Sequence, residues 1–162
     1  MKPSKIICLV FLGLFFVPLE PNVSVLSQRL DCSRELCNKM LTLLEKAKLL
    51  QLLSKKPRNY KQIGDVKKIL GGDTNMLYAL ASRVEIGTIR ETFFTNQLSA
   101  ISDVTLADKG DFMVDNKYLF EVGGAGKRFT QIADIPDSYL AIDNTEIGFS
   151  HKIPLYLFGF LY

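Results

Sequence analysis

Residues 110–127, GDFMVDNKYLFEVGGAGK, constrain the chain more than any other stretch. Two short runs of β-forming residues, DFMV and KYLFEV, flank Asp115-Asn116. Alternating apolar runs joined by such a pair predict a tight β-hairpin. Asp111 opens the first run and Glu121 lies near the end of the second, so each strand carries one carboxylate. Mg²⁺ takes a few carboxylate oxygens and keeps several waters. Asp111 and Glu121 are therefore the candidate metal ligands, and Mg²⁺ is the cofactor expected if the site is active.

A third acid, Glu91, falls on the predicted helix Ile86 to Leu98 that precedes the hairpin. The three acids form one expected constellation for metal-assisted phosphodiester chemistry. A lysine beside them would stabilise charge on the reacting phosphate. In nucleases of the PD-(D/E)XK type that lysine stands two residues after the second acid, and here the position is Gly123. Lys127 is the nearest cation, beyond a glycine turn, and could reach back. With Gly123 in the lysine's place, the expectation is a scaffold kept without its chemistry, with Glu91, Asp111, Glu121 and Lys127 as a degenerate catalytic set.

The glycine turn does not make a phosphate-binding loop. That pattern needs a glycine where Glu121 stands and Ser or Thr where Arg128 stands. A single histidine, His151, and three cysteines at positions 8, 32 and 37 supply no zinc-ligand spacing. Free thiols suit a reducing cytoplasm, the expected location.

Charge divides the chain. The net charge is +3, yet residues 28–68 carry +7 and residues 69–162 carry −5. A basic part that meets a polyanion and an acidic part that holds a cation would be distributed in this way. In the basic part, Val23 to Leu30 reads as a short amphipathic helix. Ser33 is a good N-cap for a second helix from Arg34 to about Leu50, striped by Leu36, Met40, Leu44 and Ala47. Apolar runs at 49–53 and around Lys68-Ile69-Leu70 then flank the basic turn Ser54-Lys55-Lys56-Pro57-Arg58-Asn59. Helix, turn, helix and hairpin together predict a winged helix. Its candidate nucleic-acid contacts are Arg34, Asn38, Lys39, Lys55, Lys56 and Arg58, with DNA as one candidate partner. Packing within the chain or against another protein competes for the same faces.

Gly71-Gly72-Asp73 marks the expected boundary. Beyond it come a short helix at Asn75 to Ser82, the helix Ile86 to Leu98, the hairpin and a short helix at Phe129 to Ile135. A buried strand at Ser138 to Ile142 and an apolar core or docking run at Ile153 to Tyr162 follow. This order implies an α/β (α+β) protein with a mixed sheet. The expected divisions are 1–18, 19–72 and 73–162.

The start is ambiguous. Lys2 and Lys5 before the apolar run Ile6 to Val17 outline a secretory signal peptide, but no small-x-small cleavage site follows. The run is too short for an ordinary membrane span, so no stable membrane insertion is expected. A Mg²⁺-dependent nuclease acting on DNA is the first alternative reading, and an exported small protein the second.

The segments VPLEPNVSVLSQRL, SRELCNKMLTLLEKAKLL, DTNMLYAL, IGTIRETFFTNQL, GDFMVDNKYLFEVGG and YLAIDNTEIGFSHKIPLYLFGFLY carry a family resemblance. Across 17–162 the chain resembles the C-terminal half of predicted bacterial and archaeal AAA+ ATPases. There, a winged helix and a degenerate PD-(D/E)XK-like domain of unassigned function follow the ATPase module. The resemblance places the family's Gly-x-x-x-Glu helix on Gly87 and Glu91, and its Asp-Phe strand on Asp111 and Phe112. Its Glu-Val-Lys strand falls on Glu121, Val122 and Gly123, where the lysine is lost. It also implies that residues 1–18 are a linker or lid remnant, that an AAA+ ATPase module or another protein is a partner, and that this chain lacks ATP hydrolysis.

Overall fold

The computed structural model describes residues 23–57, 65–80 and 84–161. Arg58, the expected linker at 1–18 and the apolar run at 6–17 lie outside them.

Helix α1 (Val23–Arg29) turns through Leu30 to Ser33 into helix α2 (Arg34–Lys46). Ser33 caps α2 as expected: its Oγ accepts from the Leu36 N–H at 3.1 Å. The helix ends earlier than the apolar pattern suggests. Lys48 adopts φ 60°, and Leu49 N–H returns to Leu44 O while Lys48 N–H returns to Glu45 O. These bonds close a Schellman turn, which lets the chain enter strand β1 (Leu50–Ser54) at once. The usual sign of this ending is glycine, and lysine in its place hides it.

Strand β1 pairs antiparallel with β2 (Val66–Gly71). Gly72 closes the base of this hairpin, where a side chain's Cβ would lie 1.9 Å from the Lys48 carbonyl oxygen. One face of the hairpin, with Leu50, Leu52, Val66 and Ile69, packs on Leu26, Leu30, Cys37, Met40, Leu41 and Leu44 of the helix pair. The other face sends Leu53 and Leu70 into the second core.

Helices α3 (Thr74–Leu80) and α4 (Ile86–Leu98) follow, then strands β3 (Val104–Leu106), β4 (Phe112–Val114), β5 (Tyr118–Gly124), β6 (Ser138–Asp143) and β7 (Lys152–Pro154). The five strands form one sheet in sequence order. Pairs β3–β4 and β4–β5 are antiparallel; β5–β6 and β6–β7 are parallel. The expected mixed sheet and α/β class are therefore present. Strand β3 was not anticipated: at three residues, VTL is too short to give a period. The helix expected at Phe129 to Ile135 is a single 3-10 turn, Phe129–Gln131.

Phe94 on α4 is fully buried, and its ring meets those of Phe112, Phe120 and Phe158 at 4.9–5.5 Å. That contact sets α4 and the final 3-10 helix, Leu155–Phe160, on one face of the sheet. Leu119, Leu140, Ile142 and Ile132 form a smaller core on the other face. The terminal run contributes to the core, one of its two expected roles. Leu155 and Phe158 are buried, while Tyr156, Leu157 and Phe160 are exposed. The expected boundary at Gly71-Gly72 is a junction in the chain but not a break in packing, since Leu53 and Leu70 cross it. No described helix is long and apolar enough to cross a membrane.

Candidate active site at the end of the hairpin

Alternation along β5 decides which residues can meet. Phe120 and Val122 join the Phe94 core. Leu119 joins the opposite core, so Glu121 and Gly123 share that opposite face. The tight turn that sets this register has Asp115 and Asn116 at φ 51° and 52°, and Lys117 N–H donates to Val114 O.

Asp111 precedes β4, with its N–H bonded to Phe120 O at 2.9 Å. Its carboxylate Oδ2 accepts from Val122 N–H at 2.7 Å. The antiparallel register ends at Phe112 opposite Phe120, and Asp111 reaches β5 just beyond it through this carboxylate bond. Asp111 is thus tied by its side chain to the amide that follows Glu121 on β5.

Glu121 is only 2% exposed. Its Oε1 lies 2.9 Å from Lys127 Nζ, and its Oε2 has no hydrogen-bond partner among the described residues. Lys127 reaches it by folding back over the glycine turn, where Lys127 N–H donates to Gly124 O at 2.9 Å. The path of that side chain runs over Gly123. A Cβ built on Gly123 would lie 2.9 Å from Lys127 Cδ, 3.0 Å from Cγ and 3.1 Å from Cβ. The lysine side chain fills the space that a side chain at 123 would take.

Glu91 lies elsewhere. On the α4 face it pairs with Lys68 of β2 at 2.7 Å, both side chains being largely covered, and Lys68 Nζ lies 5.7 Å from the centre of the Phe112 ring. The structure pairs Glu121 with Lys127, bonds Asp111 to the β5 backbone beside Glu121, and ties Glu91 to the first hairpin. Among the described residues no three His, Cys, Asp or Glu side chains cluster closely enough to hold a metal.

One feature of the site went unread in the sequence. Arg90 Nε bonds Asp143 Oδ2 at 3.0 Å, and Asp143 is the register partner of Gly124 across the parallel pair. A Cβ on Gly124 would lie 3.1 Å from the guanidinium nitrogens. Arg90 therefore clamps the strand ends from which the Lys127 turn departs. The partners are 53 residues apart in sequence, and only the arginine's place beside Glu91 on the helix hinted at it.

His151 does not join the site: its Nδ1 lies 3.0 Å from Ser138 O and its ring stacks on Phe129 at 4.6 Å. An open cleft of about 490 Å³ lies apart from the acids, between β1 and the end of α4, lined in part by Gln51, Ser54, Asn96, Ser99 and Thr105.

In the basic part, Arg34 and Lys39 are exposed on α2, and Lys55 and Lys56 are exposed after β1. Asn38 is half-buried. Its main-chain oxygen accepts from Thr42 Oγ1 at 2.9 Å. Lys55 pairs with Asp108 at 2.5 Å. The hydrogen bond and charge of Lys55 hold the Asp108 carboxyl below its ordinary range. One of the candidate phosphate-binding cations is therefore shared with the acidic part.

Comparison with family models, with curated proteins and with solved structures gives no match to the chain.

Proposed function

We propose that this chain acts on nucleic acid as a divalent-cation-dependent nuclease: a winged-helix-type module joined to a PD-(D/E)XK-like domain. The observation that carries this reading is Lys127 lying in the space above Gly123, with its ammonium on Glu121. Gly123 was the reason to expect lost chemistry, and a lysine supplied from the turn removes that objection. Asp111 and Glu121 would hold Mg²⁺, and the orphaned, buried Oε2 of Glu121 fits a cation. Bound there, the cation would lower the pKa of a water and neutralise charge on a phosphate. Lys127 would stabilise negative charge on the phosphate under attack. Arg90 holds the turn that carries Lys127. Arg34, Lys39, Lys55 and Lys56 would position the backbone of the nucleic acid.

The test is incubation of duplex and single-stranded DNA with the full chain in Mg²⁺ or Mn²⁺. Cleavage that disappears with EDTA and in Asp111→Ala supports the reading. Salt-dependent binding without cleavage moves the assignment to the second reading.

That second reading is a non-catalytic platform that binds nucleic acid or a partner protein, such as the ATPase module implied by the resemblance. The commitment of Glu91 to Lys68 favours it, because the third acid is then withheld from the hairpin pair.

A further inference from the structure

The entry of α2 carries two thiols in a special place. Ser33 is the N-cap, with φ −68°, ψ 153° and its side chain accepting from Leu36 N–H. Cys32 is therefore the residue before the cap, and Cys37 is the fourth residue of the helix. Side chains at those two positions meet across the cap in the hydrophobic staple that fixes how a chain enters a helix. Backbone bonds hold both ends: Cys32 N–H to Ser27 O at 3.0 Å and Cys37 N–H to Ser33 O at 2.9 Å. Cys37 is 1% exposed, and Cys32 packs against the same cluster while half-exposed. Both are free thiols.

We propose that Cys32 and Cys37 are a redox-sensitive pair, which a small-molecule disulfide converts into an intramolecular Cys32–Cys37 bond. A staple made of leucines is only a contact; made of thiols, it can be closed covalently. Both side chains pack against the same apolar cluster, and burial, with Cys32 beside it, pushes the Cys37 thiol up to about 11. Cys32 is accordingly the first to react, because it is the accessible thiol and Cys37 is protected.

In the first step the Cys32 thiolate attacks one sulfur of the small disulfide. A mixed disulfide forms on Cys32 and one small thiolate leaves. In the second, Cys37 loses its proton to solvent and attacks the Cys32 sulfur, expelling the second small thiol. Two protein thiols are oxidised and one small disulfide is reduced to two thiols. The bond joins the α1–α2 turn to the second turn of α2.

The test uses the full chain with Cys8→Ser, so that Cys32 and Cys37 are its only thiols. It is equilibrated with oxidised glutathione, acid-quenched, and mapped by mass spectrometry without reduction. The expected product is a monomer that has lost two hydrogens, with the peptides bearing Cys32 and Cys37 linked and the link reversed by dithiothreitol. Adding Cys37→Ser should trap glutathione on Cys32. Adding Cys32→Ser should slow modification of position 37 by at least about tenfold. Glutathione on both cysteines without a link, disulfide-bonded dimers, or a folded chain that does not react while the urea-unfolded chain does would each overturn the proposal.

Discussion

Lys127 and Glu121 set the terms at the scale of single residues. A buried carboxylate that loses its cation is left uncompensated, a strongly destabilising change in a dry site. Lys127 is 34% exposed, so solvent discounts the loss, and Lys127→Ala should cost about 2 kcal/mol of unfolding free energy. Urea denaturation checks this. The double change Lys127→Ala with Glu121→Gln should recover most of that stability and, on the proposed nuclease reading, should not cleave DNA. On the proposed nuclease reading, Gly123→Lys in the Lys127→Ala background should cleave DNA as the unaltered chain does, because the new side chain starts in the space the old one filled; no cleavage there, where the unaltered chain cleaves, would count against the role proposed for Lys127. Cys37 gives a second prediction. Its ordinary value is 9.0 and its folded value about 11. Above 9.0 the unfolded chain loses this proton while the folded chain keeps it. The stabilising contribution is thus complete below pH 9.0 and declines as pH rises towards about 11. Cys37→Ala should flatten that alkaline decline in melting curves.

Elements reveal which signals the sequence carried. The hairpin was legible because Asp115-Asn116 has a local conformational reason to turn, and because the pleat of a strand alone fixes which residues of KYLFEV share a face. The cap of α2 was legible for a similar reason, since Ser33 needs only its own oxygen and the third amide of the helix. The end of α2 was not. Lys48 occupies a left-handed position that a glycine would announce, so leucines 49 and 50 read as further helix. Replacing it should help: Lys48→Gly is expected to stabilise by about 0.5–1 kcal/mol, measured as a shift of the urea midpoint at unchanged slope. The Glu91–Lys68 and Arg90–Asp143 pairs were beyond reach, because each joins elements whose approach is set by tertiary packing rather than by spacing. The same limit misplaced Glu91, whose helix does precede the hairpin but sits on the opposite face from Glu121.

For the whole molecule, the first hairpin governs behaviour because its two faces belong to different cores. Phe94→Ala should cost about 3–5 kcal/mol through the cavity it leaves among Phe112, Phe120 and Phe158. The loss should not stay local. Leu53 and Leu70 lean on that core, so the helix pair and the sheet should unfold together, with fluorescence and circular dichroism transitions that coincide; separate transitions would show two independent units. The same hairpin also imposes an order on synthesis. The helix pair and β1–β2 leave the ribosome before the residues that cover Leu53 and Leu70 have been made. Phe158 is close to the last of them. The segment translated earlier thus waits, one apolar face bare, for a segment translated later.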